Sequence, residues 1–593
     1  MSLSVSSGDL GRDDSQMLDA LGEVKVGETI WAHWERHMER NGGGTAIVHW
    51  VTGEEPHRWS WGDLGSASLR YATKLAEVGV RSGDVCALII RHHRDFYPLY
   101  MAVSRLGALP SVLAYPNSRL HPEKFRLGLA GMARRSGLNW ILTERELEST
   151  VRPLLSGIGT AIRDVCFPFE WNTEGAAGVR LDHPQAKAEE PCLMQHSSGT
   201  TGLQKAVVLS HRAVLENVRR YGAAIHATPD DRVISWLPLY HDMGLIAAFY
   251  LPLTLGLPLV QLSPFEWVQA PVILLEAISR EKGTLCWLPN FAYNLMADRT
   301  SDEDVEGVRL DSLRMLVNCS EPVRAESHDR FYKRFARLGL KRATLGASYA
   351  MAETTFAATQ TVPGAEAGRL RLDREKAAEG MVRLVAPGTT GARVCVSSGR
   401  PISGCELRML DDAGNELPED RIGEIAIRSV SLFDGYRNNP EQTRAVLRDG
   451  WYLTGDYGFI WEGEYYVIGR KKDIIIVAGK NVYPEDVEDA INQVSGVLPG
   501  RVIAFGLEDS KSGTEQICVV LESELFSAPE PDQKSLRLRV REAGMTVDLT
   551  INRVYLAPPR WLIKSSAGKP SRSANRDRAL AELQYDAGGM HDI

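Results

Sequence analysis

An α/β architecture with a large first part and a small last part is the fold class this sequence predicts. Three observations carry that reading. Short apolar runs alternate with helically spaced segments from about Val26 to Phe169, and again from Pro191 to about Thr361, the pattern of mostly parallel strands covered by helices. Alternating segments from Gly404 to Ile460 (CELRML, GEIAIRS, WYLTGDYGFI, EYYVIG) imply a small antiparallel sheet. After Gly469-Arg-Lys-Lys-Asp473 the character changes to a last α+β unit of about 120 residues. With 593 residues the chain exceeds the size at which one core stops growing, so several domains are expected.

The elements can be justified in order. Residues 1–25 are small and polar, and read as a disordered tail. They lack the basic start and apolar run of a signal peptide. Asp63–Val80 has helical spacing and ends at the Gly83-Asp84 turn, before the apolar strand 85–90. Phe96–Leu106 reads as the next helix, closed by Gly107. Leu245–Val260 is the most hydrophobic stretch, yet it is too short to span a bilayer and contains Pro252 and Pro258. It reads as a core strand or helix, and no membrane span is expected. Residues 362–398 are rich in Gly, Arg and Glu with weak periodicity, and read as an insertion. The run 474–484 (IIIVAGKNVYP) reads as a strand, and Pro484-Glu485 as the start of a helix.

Composition narrows the function classes. Apolar residues make up 44% and charged residues 24%, the balance of an ordinary soluble globular protein. A net charge of −8 leaves no basic excess to neutralise phosphates, which argues against a nucleic-acid partner. The eight cysteines are scattered without a CxxC pair, so neither a zinc site nor a disulfide framework is indicated. A reduced, cytoplasmic protein is the expectation.

The clearest chemical signal is Ser197-Ser198-Gly199-Thr200-Thr201-Gly202-Leu203-Gln204-Lys205. Its glycines let backbone N–H groups approach an anion closely. Its hydroxyls add donors and Lys205 adds a point charge. This suits a polyphosphate, although it is not a Walker A loop, which needs GxxxxGK[ST]. Taken alone, the segment could also be a flexible Ser/Gly turn.

Further segments follow in order: WLPLYHDMG (236–244), NCSEPV (318–323), SYAMAETT (348–355), GEIAIRS (423–429), YLTGDYG (452–458), GRKKDIIIVAGKNVYPEDVE (469–488) and KSSAGKPSR (564–572). In set, order and spacing they resemble the adenylate-forming superfamily of acyl-CoA ligases, peptide-synthetase adenylation domains and luciferases. The resemblance runs from about residue 45 to 575. It is strongest to fatty-acyl-AMP ligases, through SWLPLYHDMGLI, WLPNFAYNL, SEPVRAE and the long interval between Glu353 and SSGRP (397–401). In those ligases that interval holds an insertion linked to poor use of coenzyme A.

The resemblance implies a large N-terminal domain (26–469) of stacked α/β subdomains with a small antiparallel β subdomain. A hinge at 470–473, with Lys472 as its pivot, and a mobile C-terminal domain (474–593) would follow. It also implies an enzyme that condenses a carboxylic acid with ATP to acyl-AMP and pyrophosphate, then passes the acyl group to a thiol. By the same resemblance Ser197, Ser198, Gly199, Thr200, Thr201, Gly202 and Lys205 would bind the β- and γ-phosphates. Ser197 and Glu353 would hold Mg²⁺, a hard cation that prefers oxygen. Tyr349 would stack on adenine, the Ser320, Glu321 and Pro322 backbone would line the adenine side, and Asp456 would accept from the ribose hydroxyls. Arg470 would hold the ribose and α-phosphate side. Lys569 would be the catalytic lysine, bridging the carboxylate and α-phosphate as charge gathers there. His241 would lie near the acyl carboxylate and the thiol tunnel.

Leu239, Met243, Ala247, Ala248 and Cys319 are expected to border a pocket for a hydrophobic acid. Ala206 and Ala350 stand where the family usually has glycine, and their methyl groups crowd places where backbone approaches the nucleotide. The acceptor is a phosphopantetheine arm of an acyl carrier protein, or coenzyme A. Two other readings stay open: an enzyme restricted to the thiol step on a preformed acyl-adenylate, and a nucleotide-binding pseudoenzyme scaffold.

Overall fold

In a computed structural model the strand–helix alternation resolves into layered sheets. The structure describes residues 28–116, 122–157, 159–173, 187–197, 205–477, 480–509, 514–547, 549–564 and 570–587. The proposed tail 1–25, residues 198–202 and Lys569 lie outside them.

The first parallel sheet orders Leu109–Val112, Val85–Ile89, Trp140–Thr143 and Asp164–Cys166. Its central strand is apolar throughout because both faces are covered. Val85, Ala87 and Ile89 pack into one cluster with Leu129, Ala133 and Met194, while Cys86 and Leu88 join the main core. That continuous burial separates a parallel strand from a half-wetted one.

Among the described residues the larger sheet has nine strands. Thr45–Trp50, Leu259–Leu262, Val233–Ser235, Leu285–Leu288, Met315–Asn318 and Leu345–Ala350 run parallel. Antiparallel strands close both edges: His57–Ser60 on one side, Ala357–Gln360 and Arg400–Pro401 on the other. Between the two sheets' first strands runs the helix Trp61–Val78, N-capped by Ser60, whose side chain accepts from the Asp63 N–H. Gly79 ends it at φ 108, a left-handed conformation glycine adopts without strain.

Leu245–Val260 is indeed core. Met243–Tyr250 forms π-helical turns, Leu251–Leu255 an α-turn, and a strand follows at Leu259–Leu262. Among the described residues no helix is long and apolar enough to cross a membrane.

The antiparallel unit joins Cys405–Leu410, Gly423–Ser429, Trp451–Trp461 and Glu464–Arg470. One expectation, the single strand at 474–484, needs correction, and the segment read as an insertion has structure of its own. The segment 362–398 carries regular structure: Arg369–Leu372 pairs with Arg393–Val396 around the short helix Arg374–Ala378. Its four-residue strands are too short for their alternation to stand out. The run 474–484 is two antiparallel strands, Ile475–Val477 and Lys480–Val482, rather than one. Gly479, inside a strand-like run, was the sequence signal for a break.

The smaller last part has its own sheet, Val502–Asp509, Thr514–Glu522, Ile551–Ala557 and Tyr585–Ala587. Val502, Ala504, Val519 and Leu521 face one cluster with Leu536 and Val540. Ile503, Phe505, Cys518 and Val520 face another with Tyr555 and Ala579. This part therefore has a core of its own. Arginines from the preceding part reach its helix Pro484–Asn492: Arg393 pairs with Asp486 at 2.7 Å, Arg374 with the same carboxylate at 3.2 Å, and Arg324 with Asp489.

Near the first strands His49 and His92 stack with ring centroids 4.0 Å apart. His49 Nδ1 lies 2.9 Å from the Tyr97 hydroxyl, and His92 Nε2 lies 3.1 Å from the Trp50 carbonyl oxygen. Burial, then the neighbouring His92 and His93, holds His49 far below the usual imidazole range. Burial lowers His92 to about 4. Unfolded imidazoles take up protons as pH falls through about 6.5, and the folded ones do not, so stability declines with acidification. At pH 5 His49, 5% exposed, contributes a loss of about 2 kcal/mol, from about 1.5 pH units at about 1.4 kcal/mol each. Thermal melts of wild type and His49→Gln between pH 7.5 and 5 check this. The variant's slope is shallower, and equal slopes contradict the assignment.

Candidate active site

The strand Leu345–Ala350 leaves the large sheet at its last parallel position and delivers Tyr349 to a cleft. Tyr349 is buried, and its hydroxyl donates to Asp456 Oδ2 at 2.6 Å. Burial first, then the Asp456 charge, pushes the phenol well above its ordinary value. Asp456 sits in the strand Trp451–Trp461, directly opposite Arg470 across the antiparallel ladder. Its Oδ1 lies 3.2 Å from Arg470 Nε. The facing carboxylate in turn raises the arginine's affinity for its proton. Just before Asp456, Gly455 takes φ 71, which turns the strand at the cleft. Tyr349, Asp456 and Arg470 thus form one row, joined by a hydrogen bond on one side of the carboxylate and an ion pair on the other, and the carboxylate keeps lone pairs for further donors.

A tight turn after Tyr349 places Glu353. Residues Ala352–Thr354 form one 3₁₀ turn, and Thr355 ends it at φ 69. A β-branched residue there is strained. The surroundings hold it: Thr355 Oγ1 donates to the Ser431 carbonyl at 2.8 Å, and Asn217 Nδ2 donates to the Thr354 carbonyl at 3.2 Å. Glu353 is buried and accepts from the Tyr436 hydroxyl at 2.8 Å. Burial raises its pKa, and the Tyr436 hydrogen bond and nearby Lys205 pull it back in part. Burial likewise lowers the Lys205 pKa, with Glu353 opposing. Lys205 opens the strand Lys205–Ser210, paired to Pro191–Ser197 with Ser197 opposite Lys205. The proposed phosphate loop therefore leaves and re-enters the fold at adjacent points of one hairpin. The Ser197 side chain lies outside what is described.

His241 follows a turn held by Gln195, whose Nε2 donates to the Tyr240 carbonyl at 2.7 Å. Next to it Asp242 caps the π-helical turns, its Oδ1 accepting from the Met243 N–H at 2.8 Å. On the far wall Ser320 takes φ 68, and Glu321 Oε2 accepts from the Phe291 N–H at 3.0 Å.

One cleft of about 2890 Å³ gathers Lys205, His241, Ser320, Glu321, Pro322, Tyr349, Glu353, Asp456, Arg470 and Lys472. It also takes in Lys564 and Pro570 from the last part. Every sequence-derived site residue that the structure describes with its side chain lies on this wall. The acyl-pocket expectation fares differently. Met243, Ala247, Ala248 and Cys319 are buried in the main core and do not line the cleft, and Met243 Sδ and Cys319 Sγ touch at 3.0 Å. Leu239 packs half-buried against the same core.

Sequence reading missed Tyr436, Gln195 and Arg572. Tyr436 lies in a two-residue strand that no periodicity marks. Arg572 closes the KSSAGKPSR run and pairs with Glu485 at 3.2 Å, with Asp473 at 3.5 Å and with Glu488. No run of like residues announces that cluster.

Among the described residues no group of three or more His, Cys, Asp or Glu is gathered for a metal. A single buried carboxylate, Glu353, fits a Mg²⁺ that arrives on phosphates, since such ions take one or two carboxylates from protein.

Comparisons agree with this geometry. A Caulobacter vibrioides protein named "Putative acyl-CoA synthetase" is 30% identical over 555 residues, 92% of this chain and 94% of its own. "Probable long-chain-fatty-acid--AMP ligase FadD30" of Mycobacterium tuberculosis is 30% identical over 553 residues, 88% of this chain and 92% of its own. A structure from a study of fatty acyl-adenylate ligases of E. coli and L. pneumophila superposes with a TM-score of 0.85 at 24% identity, covering 93% of this chain and 97% of that one. The AMP-binding enzyme family matches residues 34–437, and this chain belongs to it.

Proposed function

We propose that this enzyme joins a hydrophobic carboxylic acid to AMP at the expense of ATP and then passes the acyl group to the phosphopantetheine thiol of a carrier protein. The observation that carries the reading is the shared cleft. The Tyr349–Asp456–Arg470 row, Glu353, Lys205 and the described residues flanking Lys569 all open onto one cavity. Likeness to relatives named as fatty-acid–AMP ligases supports it.

In the first half-reaction a carboxylate oxygen attacks the α-phosphorus of ATP, the bond to the β-phosphate oxygen breaks, and pyrophosphate leaves. Such transfers are catalysed chiefly by positioning and charge stabilisation. Tyr349 offers adenine its ring, and Asp456 accepts from the ribose hydroxyls. Arg470 and Lys569 would contact the α-phosphate. Ser197, Ser198, Gly199, Thr200, Thr201, Gly202 and Lys205 receive the pyrophosphate. Ser197 and Glu353 would hold Mg²⁺, which neutralises phosphate charge. In the second half-reaction the thiol sulfur attacks the acyl carbonyl, and AMP leaves as its C–O bond breaks. A swing of 474–593 about 470–473 would withdraw Lys569 between the steps. His241 lines the same cleft and would orient the acyl carbonyl.

Arg374 and Arg393, both from the 362–398 segment, hold Asp486 of the C-terminal helix. The resemblance to ligases whose insertion is linked to poor use of coenzyme A is what supports a carrier protein as acceptor. The eight cysteines are buried thiols, which suits a cytoplasmic enzyme.

Pyrophosphate exchange over a panel of acids, followed by acyl transfer to coenzyme A and to a phosphopantetheine-bearing carrier protein, tests the proposal. Exchange is expected with hydrophobic acids, and faster transfer to the carrier. Faster transfer to coenzyme A would reverse the acceptor assignment. No exchange, with turnover of synthetic acyl-adenylate by a thiol, would restrict the enzyme to the second step. Neither activity would leave a nucleotide-binding scaffold.

A further inference from the structure

Three separate contacts converge on Tyr436. Its hydroxyl donates to Glu353 Oε1 at 2.8 Å, and its ring centroid lies 4.7 Å from Lys205 Nζ. Its two-residue strand, Gly435–Tyr436, pairs antiparallel with Lys205–Ser210, placing Tyr436 opposite Val207. The flanking backbone reinforces both links. The Phe433 N–H donates to the Glu353 carbonyl and the Arg437 N–H to the Ala206 carbonyl, each at 2.9 Å. Residues 433–437 thus hold Glu353 at its carboxylate through the Tyr436 hydroxyl and at its backbone carbonyl through the Phe433 N–H, and hold the lysine strand through its ladder. Tyr436 itself is only 5% exposed, and its backbone N–H donates to Thr443 Oγ1 at 2.9 Å, so the ring has little freedom to move.

We propose that Tyr436 is a positioning residue for the metal–nucleotide. It fixes one Glu353 oxygen so that the other faces the cation, and it holds Lys205 on its ring face until phosphate replaces it. This rests on the ATP–Mg²⁺ reading of the same cleft. The chemistry suits both tasks. A buried carboxylate needs a donor to stay oriented, and a phenol supplies one without adding charge. A ring face attracts an ammonium without neutralising it, so the lysine stays available to an anion. An acidic residue in place of Tyr436 would bind Lys205 outright, and a lysine would bind Glu353.

Mn²⁺ in place of Mg²⁺ gives a binding readout independent of turnover. Electron paramagnetic resonance follows its uptake by the full chain with a non-hydrolysable ATP analogue. Tyr436→Phe keeps the ring and deletes the hydroxyl, and it is expected to weaken Mn²⁺ uptake about tenfold, the scale of a lost hydrogen bond to a charged group. Thermal melting checks that it folds. In a Glu353→Gln background, Tyr436→Phe is expected to add nothing, because its effect passes through that carboxylate. Tyr436→Leu removes the ring as well and is expected to weaken analogue binding beyond Tyr436→Phe, unless Lys205→Met is already present. Wild-type uptake with equal uptake by Tyr436→Phe overturns the proposal, and so does an undiminished effect in the Glu353→Gln background. No uptake by wild type overturns the metal–nucleotide reading and this inference with it.

Discussion

Lys569→Ala lowers pyrophosphate exchange by about 10²–10³-fold, the scale seen when one preorganised charge-stabilising donor is removed, and leaves ATP binding nearly unchanged. Lys569 lies outside the described residues, but its chain neighbours do not. Lys564 and Pro570 form an antiparallel bridge, and both line the cleft that holds Tyr349 and Asp456. Lys569 is the chain neighbour of Pro570. The base of this loop is built to hold. Asn575, fully buried, donates to the Ile563 and Ser571 carbonyls, each at 2.8 Å, and accepts from the Ile563 N–H at 2.7 Å. A lysine tethered there can bridge two anions that approach within the cleft. Exchange assays at saturating ATP measure the effect. A variant with wild-type exchange would remove Lys569 from the mechanism.

Arg572→Ala has the largest expected effect on stability, about 3–5 kcal/mol for the C-terminal part, the cost of breaking a buried ion pair from one side. The guanidinium pairs with Glu485, Glu488 and Asp473 and donates to the Ala504 carbonyl at 2.6 Å. Without it three carboxylates face one another, and Glu485 is only 9% exposed. Arg572 also anchors the chain two residues beyond Pro570, so adenylation falls with stability. Denaturant unfolding of wild type, Arg572→Ala and Arg572→Lys separates the two effects. Lysine keeps the charge but not the fork of donors, and recovers only part of the loss. A change of about 0.5 kcal/mol or less in Arg572→Ala, the scale of an ordinary surface site, would contradict the account.

Much of this fold was legible in the sequence. The helix Trp61–Val78 and strand Val85–Ile89 follow from apolar spacing and the turn signals between them. The antiparallel strands Cys405–Leu410 and Gly423–Ser429 follow from two-residue alternation. What spacing could not supply is contact between distant segments. Asp456 reads locally as a turn former, and only the cross-strand Arg470 and the Tyr349 hydroxyl make it a site. Motif likeness found those residues. It did not find Tyr436, because a residue that serves by orienting another leaves no local pattern. The residues expected at the acyl pocket were ambiguous for a related reason. Apolar residues near a motif suit a pocket wall or a core equally well, and burial puts Met243 and Cys319 in the core.

Hydrogen exchange read by mass spectrometry, with and without a non-hydrolysable acyl-adenylate analogue, probes directly whether one nucleotide is enclosed by both ends of the chain. Slowed exchange is expected together in peptides covering 348–354, 454–458 and 563–575. Protection confined to the first two, with the C-terminal peptide unchanged, would contradict the enclosure on which the mechanism stands.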